Sequence, residues 1–281
     1  MRAAPLTDEA PSADPARSGD RAGGVAASDH RTDEPVVLVA HGSRDPRAAE
    51  AIRGLARAVA VARPGQQVLA SWLDHTEPDP TTVLRDLAAA GHSRVILVPL
   101  LLTAAYHRRV DIPAAVAAAH ESGTPIRVGI TEVLGPVGDE VDPALLAALR
   151  HRLAEADPGR FDALVLAAAG TRDPAARASV GRVARALGAM LGMPTRVSYA
   201  SAAPPAVDVA VRRLRAAGAR RVAVAAYFLA PGLFHDAVTT AARAAGAVAV
   251  AAPLSTAPDL VNLILHRLSH AFVDREIGGS R

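Results

Sequence analysis

The feature that most constrains this chain of 281 residues is an internal repeat with a period of about 127 residues. The segment VLVAHGSRDP at Val37–Pro46 returns as VLAAAGTRDP at Val165–Pro174, and GHSRVILVPLLL at 91–102 returns as GARRVAVAAYFL at 218–229. Solenoid repeats run about 20–50 residues, so a period this long indicates two duplicated domains.

Each copy alternates short apolar runs with amphipathic segments. Asp45-Pro46 predicts a helix start, with the aspartate as N-cap and the proline at the first helical position. Alternation with short connections predicts an α/β fold, with a parallel sheet covered by helices on both faces. In the first copy we predict strands at 35–40, 67–73, 95–102 and 126–133, and helices at 46–62, 78–90, 112–120 and 145–156.

The repeat also suggests domain boundaries. Residues 1–34 are rich in Ala, Pro, Gly, Ser and Asp, which is typical of a disordered tail. We expect an N-terminal domain at 35–157 and a C-terminal domain at 158–281. Without a signal-peptide pattern or an apolar run long enough for a bilayer, we expect no membrane association and a cytoplasmic location.

The composition excludes several classes of chemistry. The chain has no cysteine, so disulfides, thiolate metal sites and cysteine nucleophiles are excluded. It has no lysine either, which excludes a Walker A ATPase and Schiff-base catalysis. All 31 basic residues are therefore arginine, and they form no cluster typical of nucleic-acid binding, so no nucleic-acid partner is expected.

Two histidines stand out from the ten in the chain. His41 and His107 each follow a predicted strand, and the carboxyl ends of parallel strands form the ligand-binding edge of such sheets. Neutral imidazole binds first-row divalent metals and also accepts protons near neutral pH. A single histidine at such a position is more often a plain loop residue.

Together the two motifs resemble those of the sirohydrochlorin chelatases, the class II chelatases of siroheme and cobalamin biosynthesis. The motifs are VAHGSRDP around His41 and LLTAAYHRRVDIP around His107, 66 residues later. The resemblance covers 35–281 and matches the long, duplicated form of the family. It implies two tandem flavodoxin-like domains facing each other across a cleft that holds a tetrapyrrole. It also implies ATP-independent insertion of Co²⁺ or Fe²⁺ by the paired histidines, with the metal as substrate and no organic cofactor.

The same resemblance suggests further site residues. His41 and His107 would bind the metal or accept the pyrrole protons, with Asp74, and also Glu77, as a carboxylate near the metal. A substrate with eight carboxylates favours arginine forks and helix N-termini. Residues beside the two histidines fit that role, and they are Ser43, Arg44, Arg108 and Arg109. Arg44 and Ser43 also have a purely structural interpretation, in the turn that begins the helix.

The second copy departs from this pattern. Ala169 stands where His41 stands in the first copy, and Phe234 aligns with His107, with His235 one position later. We therefore expect one active site per chain, in the first half, with His235 at the substrate-binding wall of the second. Because the duplication supplies both halves, a monomer is expected.

Three alternatives stay open. One is a binding protein, in which the duplicated domain holds a metal or a tetrapyrrole for delivery without catalysing insertion. The motif Ala-His-Gly also resembles that of histidine phosphatases, although Ala40 stands where a phosphate-binding arginine belongs. His266 and His270 have the four-residue spacing of a two-histidine metal site, but without a third ligand they are expected to be surface or cleft residues. The sequence does not distinguish Co²⁺, Fe²⁺ and Ni²⁺.

Overall fold

The computed structural model of the protein describes residues 34–103 and 110–277. The strands are β1 (Val36–Ala40), β2 (Val68–Trp72), β3 (Arg94–Pro99), β4 (Arg127–Ile130), β5 (Ala163–Ala168), β6 (Thr195–Tyr199), β7 (Val222–Tyr227) and β8 (Ala249–Val250). The helices are α1 (Pro46–Ala62), α2 (Pro80–Ala89), α3 (Ile112–Glu121), α4 (Pro143–Glu155), α5 (Pro174–Leu191), α6 (Val207–Ala216), α7 (Leu233–Ala244) and α8 (Pro258–Ile277). Within these described ranges, no helix is both long and apolar enough to cross a membrane.

These strands form two four-stranded parallel sheets of the same topology. Their orders are β2-β1-β3-β4 and β6-β5-β7-β8. The registers also correspond, because Ala40 at the end of β1 faces Trp72 and Ala168 at the end of β5 faces Tyr199. The prediction of two tandem α/β domains, each with a parallel sheet, is therefore confirmed.

Helix starts follow the Asp-Pro pattern of the sequence. Asp45 and Asp173 precede the prolines that open α1 and α5, and their carboxylates accept hydrogen bonds from the amides of Arg47 (3.0 Å) and Ala175 (2.8 Å). An amide hydrogen at the first helical position has no partner within the helix. Proline has no amide hydrogen, so it loses no hydrogen bond at this position and helps the aspartate cap to start the helix.

Strand β3 is shorter than predicted. We expected it to reach residue 102, but it ends at Pro99. A proline has no amide hydrogen for the ladder, so the regular pairing stops there. Leu100 still donates its amide to the Val39 carbonyl (2.8 Å), after which the chain leaves the sheet.

The two halves share one hydrophobic core through exchanged helices. Helix α4, the last helix of the first half, packs against β7 of the second sheet, while α8 packs against α4 and against β3 of the first sheet. Buried residues of β1, α1, α4, β5, β7 and α8 all belong to this shared core. A second, smaller core lies under α2 and α3 on the opposite face of the first sheet.

Candidate active site

His41 is an exposed residue directly after β1, at the carboxyl edge of the first sheet. Its carbonyl accepts the amide of Asp74 (2.9 Å), which follows β2. Gly42 has a φ of +100°, and a Cβ placed there would lie 1.7 Å from the Asp74 carbonyl oxygen. Only glycine fits this approach, so the backbone fixes where the His41 side chain begins.

Asp74 and His75 stand beside His41. The Asp74 carboxylate accepts the His75 amide (2.8 Å at Oδ1), and its Oδ2 lies 3.2 Å from His75 Nε2. His75 has a φ of +61° and lines the same cavity as His41, whereas Asp74 is exposed next to that wall. His75 was not among the site residues predicted from the sequence. The signal that was available is its place immediately after Asp74, at the end of a strand neighbouring β1.

The loop between His41 and α1 is stabilised by a hydrogen bond between residues close in sequence. Ser43 Oγ accepts the Asp45 amide (3.1 Å), which is the structural role considered for it from the sequence. Thr171 does the same for Asp173 (3.1 Å) in the second half. The side chain of Arg44 is exposed and lines the cavity.

A cavity of about 520 Å³ lies between the two halves at this edge. The first half contributes the 41–45 loop, Trp72 and Leu100, and the second half contributes the segment 228–235 after β7. Leu233 and Phe234 are 79% and 51% exposed, which is unusual for large apolar side chains. One wall therefore carries polar and charged groups, and the facing wall is largely apolar.

His235 lines this cavity but one of its ring nitrogens is already engaged. Its Nε2 lies 3.0 Å from the Ala251 carbonyl oxygen, which only accepts, so Nε2 carries the hydrogen. The ring also packs edge-on against Phe228, with centroids 5.8 Å apart, and the side chain is only 14% exposed. His235 is thus anchored in the wall, with Nδ1 as its remaining nitrogen.

The predicted residues His107, Arg108 and Arg109 lie outside the residues that the structure describes. The start of the segment that leads to them is described. There the Tyr227 hydroxyl, from the end of β7, donates to the Leu102 carbonyl (2.7 Å). Burial raises the pKa of Tyr227 well above its ordinary value of 10.0, so this hydroxyl keeps its proton. The second half thereby anchors the chain just ahead of His107.

An ion pair joins the halves next to the cavity. Arg47 Nη2 lies 2.6 Å from Asp45 Oδ2 and 2.6 Å from Asp236 Oδ2 in the first turn of α7. The Arg47 hydrogen bonds lower the pKa of Asp45. Because Arg47 already pairs with two carboxylates, Arg44 is better placed than Arg47 to bind an anionic ligand.

Among the described residues, no three histidine or acidic side chains converge as a complete metal site. What the edge does offer is imidazole at His41 and His75, a carboxylate at Asp74 and a guanidinium at Arg44. Imidazole and carboxylate suit first-row divalent metals, and guanidinium suits carboxylate ligands.

Comparisons with known proteins identify the family and the fold of the chain. A family model described as CbiX matches residues 35–156 and again 163–271. The chain is 26% identical over 206 residues to the sirohydrochlorin cobaltochelatase of Priestia megaterium, covering 70% of this chain and 65% of that protein. It is 26% identical over 163 residues to the sirohydrochlorin ferrochelatase of Bacillus subtilis, covering 56% of this chain and 59% of that protein. The aligned parts span less than two thirds of either relative.

Solved structures show the same fold. SirB from Bacillus subtilis with Fe³⁺ superposes with a TM-score of 0.74 at 20% identity, over 86% of this chain and 97% of that one. CbiX, described as the terminal enzyme for siroheme biosynthesis in denitrifying bacteria, gives a TM-score of 0.60 at 22% identity, over 85% and 99%. The family model matches both halves, in agreement with the repeat and with the fold. The chain therefore belongs to the CbiX family and contains the family's domain twice.

Proposed function

We propose that this protein inserts Co²⁺ or Fe²⁺ into sirohydrochlorin without ATP, at one site per chain in its first half. The curated relatives named sirohydrochlorin cobaltochelatase and ferrochelatase support this reaction class. The absence of lysine supports independence from a Walker A nucleotide site.

The observation that carries the proposal is the place of His41. It lines a cavity between the two halves, at the carboxyl edge where parallel sheets bind ligands. The equivalent edge of the second sheet has Ala169 instead. The proposed chemistry therefore belongs to the first half, and the second half supplies a wall.

Insertion requires one divalent ion to enter the ring and two pyrrole protons to leave it, which conserves charge. We assign His41 and His107 to holding the metal and accepting these protons, because a neutral imidazole has a lone pair for either task. Asp74 and His75 are the further candidates at this edge. The carboxylate of Asp74 orients the His75 ring, as carboxylates commonly do for metal-binding histidines, and it also adds negative charge near the cation.

The substrate would meet two different walls. Arg44, and by its sequence position the pair Arg108 and Arg109, would bind peripheral carboxylates of the tetrapyrrole. Leu233 and Phe234 would cover an apolar face of the macrocycle, which accounts for their exposure in the free protein. His235, held by Ala251, would contact the substrate without entering the chemistry.

The test is anaerobic mixing of purified protein with sirohydrochlorin and Co²⁺ or Fe²⁺, followed by the change in absorbance. We expect insertion to be faster than in the absence of protein and to be lost in His41→Ala. His151→Ala is the matched control, because His151 is a half-exposed histidine on α4 that does not line the cavity. A rate no higher than that without protein would overturn the proposal.

The same experiment separates a delivery protein from an enzyme. A delivery protein would bind the metal or the tetrapyrrole, seen by equilibrium titration, and would leave the insertion rate unchanged. A rate series with Co²⁺, Fe²⁺ and Ni²⁺ under identical conditions would then identify the preferred metal, since imidazole ligands alone discriminate weakly among them.

A further inference from the structure

A second cavity, of about 530 Å³, lies at the carboxyl end of β4. The sheet order puts β3 between this strand and β1, so the cavity is distinct from the one that contains His41. Its walls come from Thr131 and Glu132 after β4, from the segment 137–143, and from His266, Arg267 and His270 on α8. The two histidines, which the sequence predicted to be surface or cleft residues, therefore line a concave site.

The hydrogen bonds of His266 and His270 fix which ring nitrogens carry hydrogen. His266 Nδ1 lies 2.6 Å from Asp142 Oδ2. His270 Nδ1 lies 2.9 Å from the backbone oxygen of His266, which only accepts. The Asp142 carboxylate accepts hydrogen bonds from Arg267 Nη1 (2.9 Å) and from the Ala144 amide (2.9 Å), so it is the acceptor in its contact with His266 too. Each imidazole therefore carries its hydrogen on Nδ1, and in the neutral ring Nε2 has a free lone pair.

This arrangement is the one seen around metal-binding histidines. The nitrogen that would face the metal is unprotonated, while the other nitrogen donates to a carboxylate or to a backbone carbonyl. Asp142 and the His266 carbonyl are those two acceptors here.

The spacing of the two rings fits one shared ion. Their centroids are 4.4 Å apart and their planes are at 86°. With metal–nitrogen bonds of about 2.0–2.1 Å, two imidazoles at neighbouring positions of an octahedral ion have ring centres roughly 4.5 Å apart.

The charges around the cavity favour a cation. The walls include Glu132, Glu140 and Asp142 against one guanidinium, that of Arg267. Arg267 is already committed, because it donates to Asp142 Oδ2 (2.9 Å) and to the Val133 carbonyl (2.7 Å). Glu140 therefore adds negative charge to the cavity, where the guanidinium of Arg267 is already paired.

We propose that His266 and His270 form a second divalent-metal site, one that binds borderline cations such as Cu²⁺, Ni²⁺, Zn²⁺ and Co²⁺. The two Nε2 atoms are the protein ligands, and water fills the other positions, since no third histidine or carboxylate in the described part of the chain completes a cluster. A site with two protein ligands exchanges its metal readily. The inference stands on α8 and the 131–143 segment alone and is independent of the proposed function.

The test uses Cu²⁺, which imidazole sites bind most tightly among these ions. The starting protein carries His41→Ala, His75→Ala and His107→Ala, so that the first cavity does not contribute. We expect electron paramagnetic resonance to show one Cu²⁺ per chain with two nitrogen ligands. His266→Ala or His270→Ala should each weaken binding by about tenfold or more. The double variant should lose little further, because chelation needs both rings.

His151→Ala is again the matched control, since His151 lies on a helix beside Glu155 and Asp259 but has no second imidazole nearby in the described structure. It should bind Cu²⁺ as the starting protein does. His270 is exposed, so His270→Ala leaves the fold intact, and circular dichroism verifies this. Unchanged Cu²⁺ affinity in His270→Ala, or losses that simply add in the double variant, would overturn the proposal.

Discussion

The carboxyl edges of the two sheets have nearly the same backbone and different side chains. After β1 and β2 the first half carries His41, Asp74 and His75, and after β5 and β6 the second half carries Ala169, Ser201 and Ala202. The amides of Asp74 and Ser201 donate in the same way to the carbonyls of His41 (2.9 Å) and Ala169 (3.0 Å).

The special backbone geometry is preserved along with this pairing. Gly42 and Gly170 both have a φ of +100°, and His75 and Ala202 have φ values of +61° and +60°. The second half therefore has the backbone conformation of the histidine-bearing edge without the side chains that we propose to bind metal. The backbone conformation of the edge and its side chains can therefore be changed separately, and the effect of each can be measured.

The largest expected effect is on activity and concerns the first edge alone. His41→Ala and His107→Ala should each slow metal insertion by about 10² to 10⁴-fold, the usual contribution of a proton-transfer group. The measurement is the initial rate of the absorbance change with sirohydrochlorin and Co²⁺. Introducing Ala169→His into the His41→Ala protein should not restore activity, and restoration would contradict a site confined to the first half.

The next effect concerns Asp142, which caps α4 and contacts α8. Its carboxylate is 5% exposed and pairs with Arg267, 10% exposed, so Asp142→Ala leaves a buried guanidinium without its carboxylate. We expect a loss of about 3 kcal/mol in the free energy of unfolding, measured by urea denaturation. Asp173 caps α5 in the second half but is exposed, so Asp173→Ala is the matched change and should cost only about 1 kcal/mol.

Asp142 should also make the stability of the folded protein depend on pH. Its pKa in the folded protein lies below the ordinary value of 3.8. The stability it contributes is therefore present above that value and is lost as the pH falls through the folded-state pKa. The wild type should lose stability more steeply than Asp142→Ala does as the pH falls below 3.8. Parallel acid-unfolding curves would contradict this assignment.

The next prediction compares alanine substitutions at Gly42 and Gly170. A Cβ would lie 1.7 Å from the Asp74 oxygen at Gly42 and 1.9 Å from the Ser201 oxygen at Gly170. Alanine at either position should cost about 2–3 kcal/mol of stability, measured by thermal unfolding. Only Gly42→Ala should also reduce the insertion rate of the folded fraction. Equal losses of activity would show that the second edge takes part in the reaction.

The smallest expected effect is at Tyr227. Replacing it with phenylalanine removes the hydrogen bond to the Leu102 carbonyl and should lower stability by about 1–2 kcal/mol. Because Leu102 precedes the His107 segment, we also expect a lower insertion rate at saturating substrate. Tyr199→Phe, at the end of β6, is the control, and it should leave the rate unchanged.

Much of this architecture is predictable from the residues. The repeat, the strand–helix alternation and the Asp45-Pro46 helix start all appear in the structure, because local propensities and the global fold agree there. His75 was missed because a single histidine carries no periodic signal, and its place at the cavity depends on the turn after β2. The orientation of His235 was equally inaccessible, since it depends on the Ala251 carbonyl, 16 residues away.

The exchange of α4 and α8 was also beyond prediction. An amphipathic pattern tells which face of a helix is buried, but not against which of two similar sheets it packs. The helix predicted at 145–156 was expected to close the first domain, and it packs on the second sheet instead. The reason is that both sheets present similar buried aliphatic surfaces, and the short link to β5 carries α4 between them.

Because of this exchange, the two halves cannot move apart without disrupting the packing of α4 and α8. Any hinge motion that widened the cavity between them would pull α4 away from β7 and α8 away from β3, and so expose leucines such as Leu149 and Leu263. Exposing one such side chain costs about 1.5–3 kcal/mol, and several would be uncovered together. The spacing between the His41 edge and the apolar wall at Phe234 is therefore set by the core of the molecule. We therefore expect a ligand to bind in this cavity without changing the distance between its two walls.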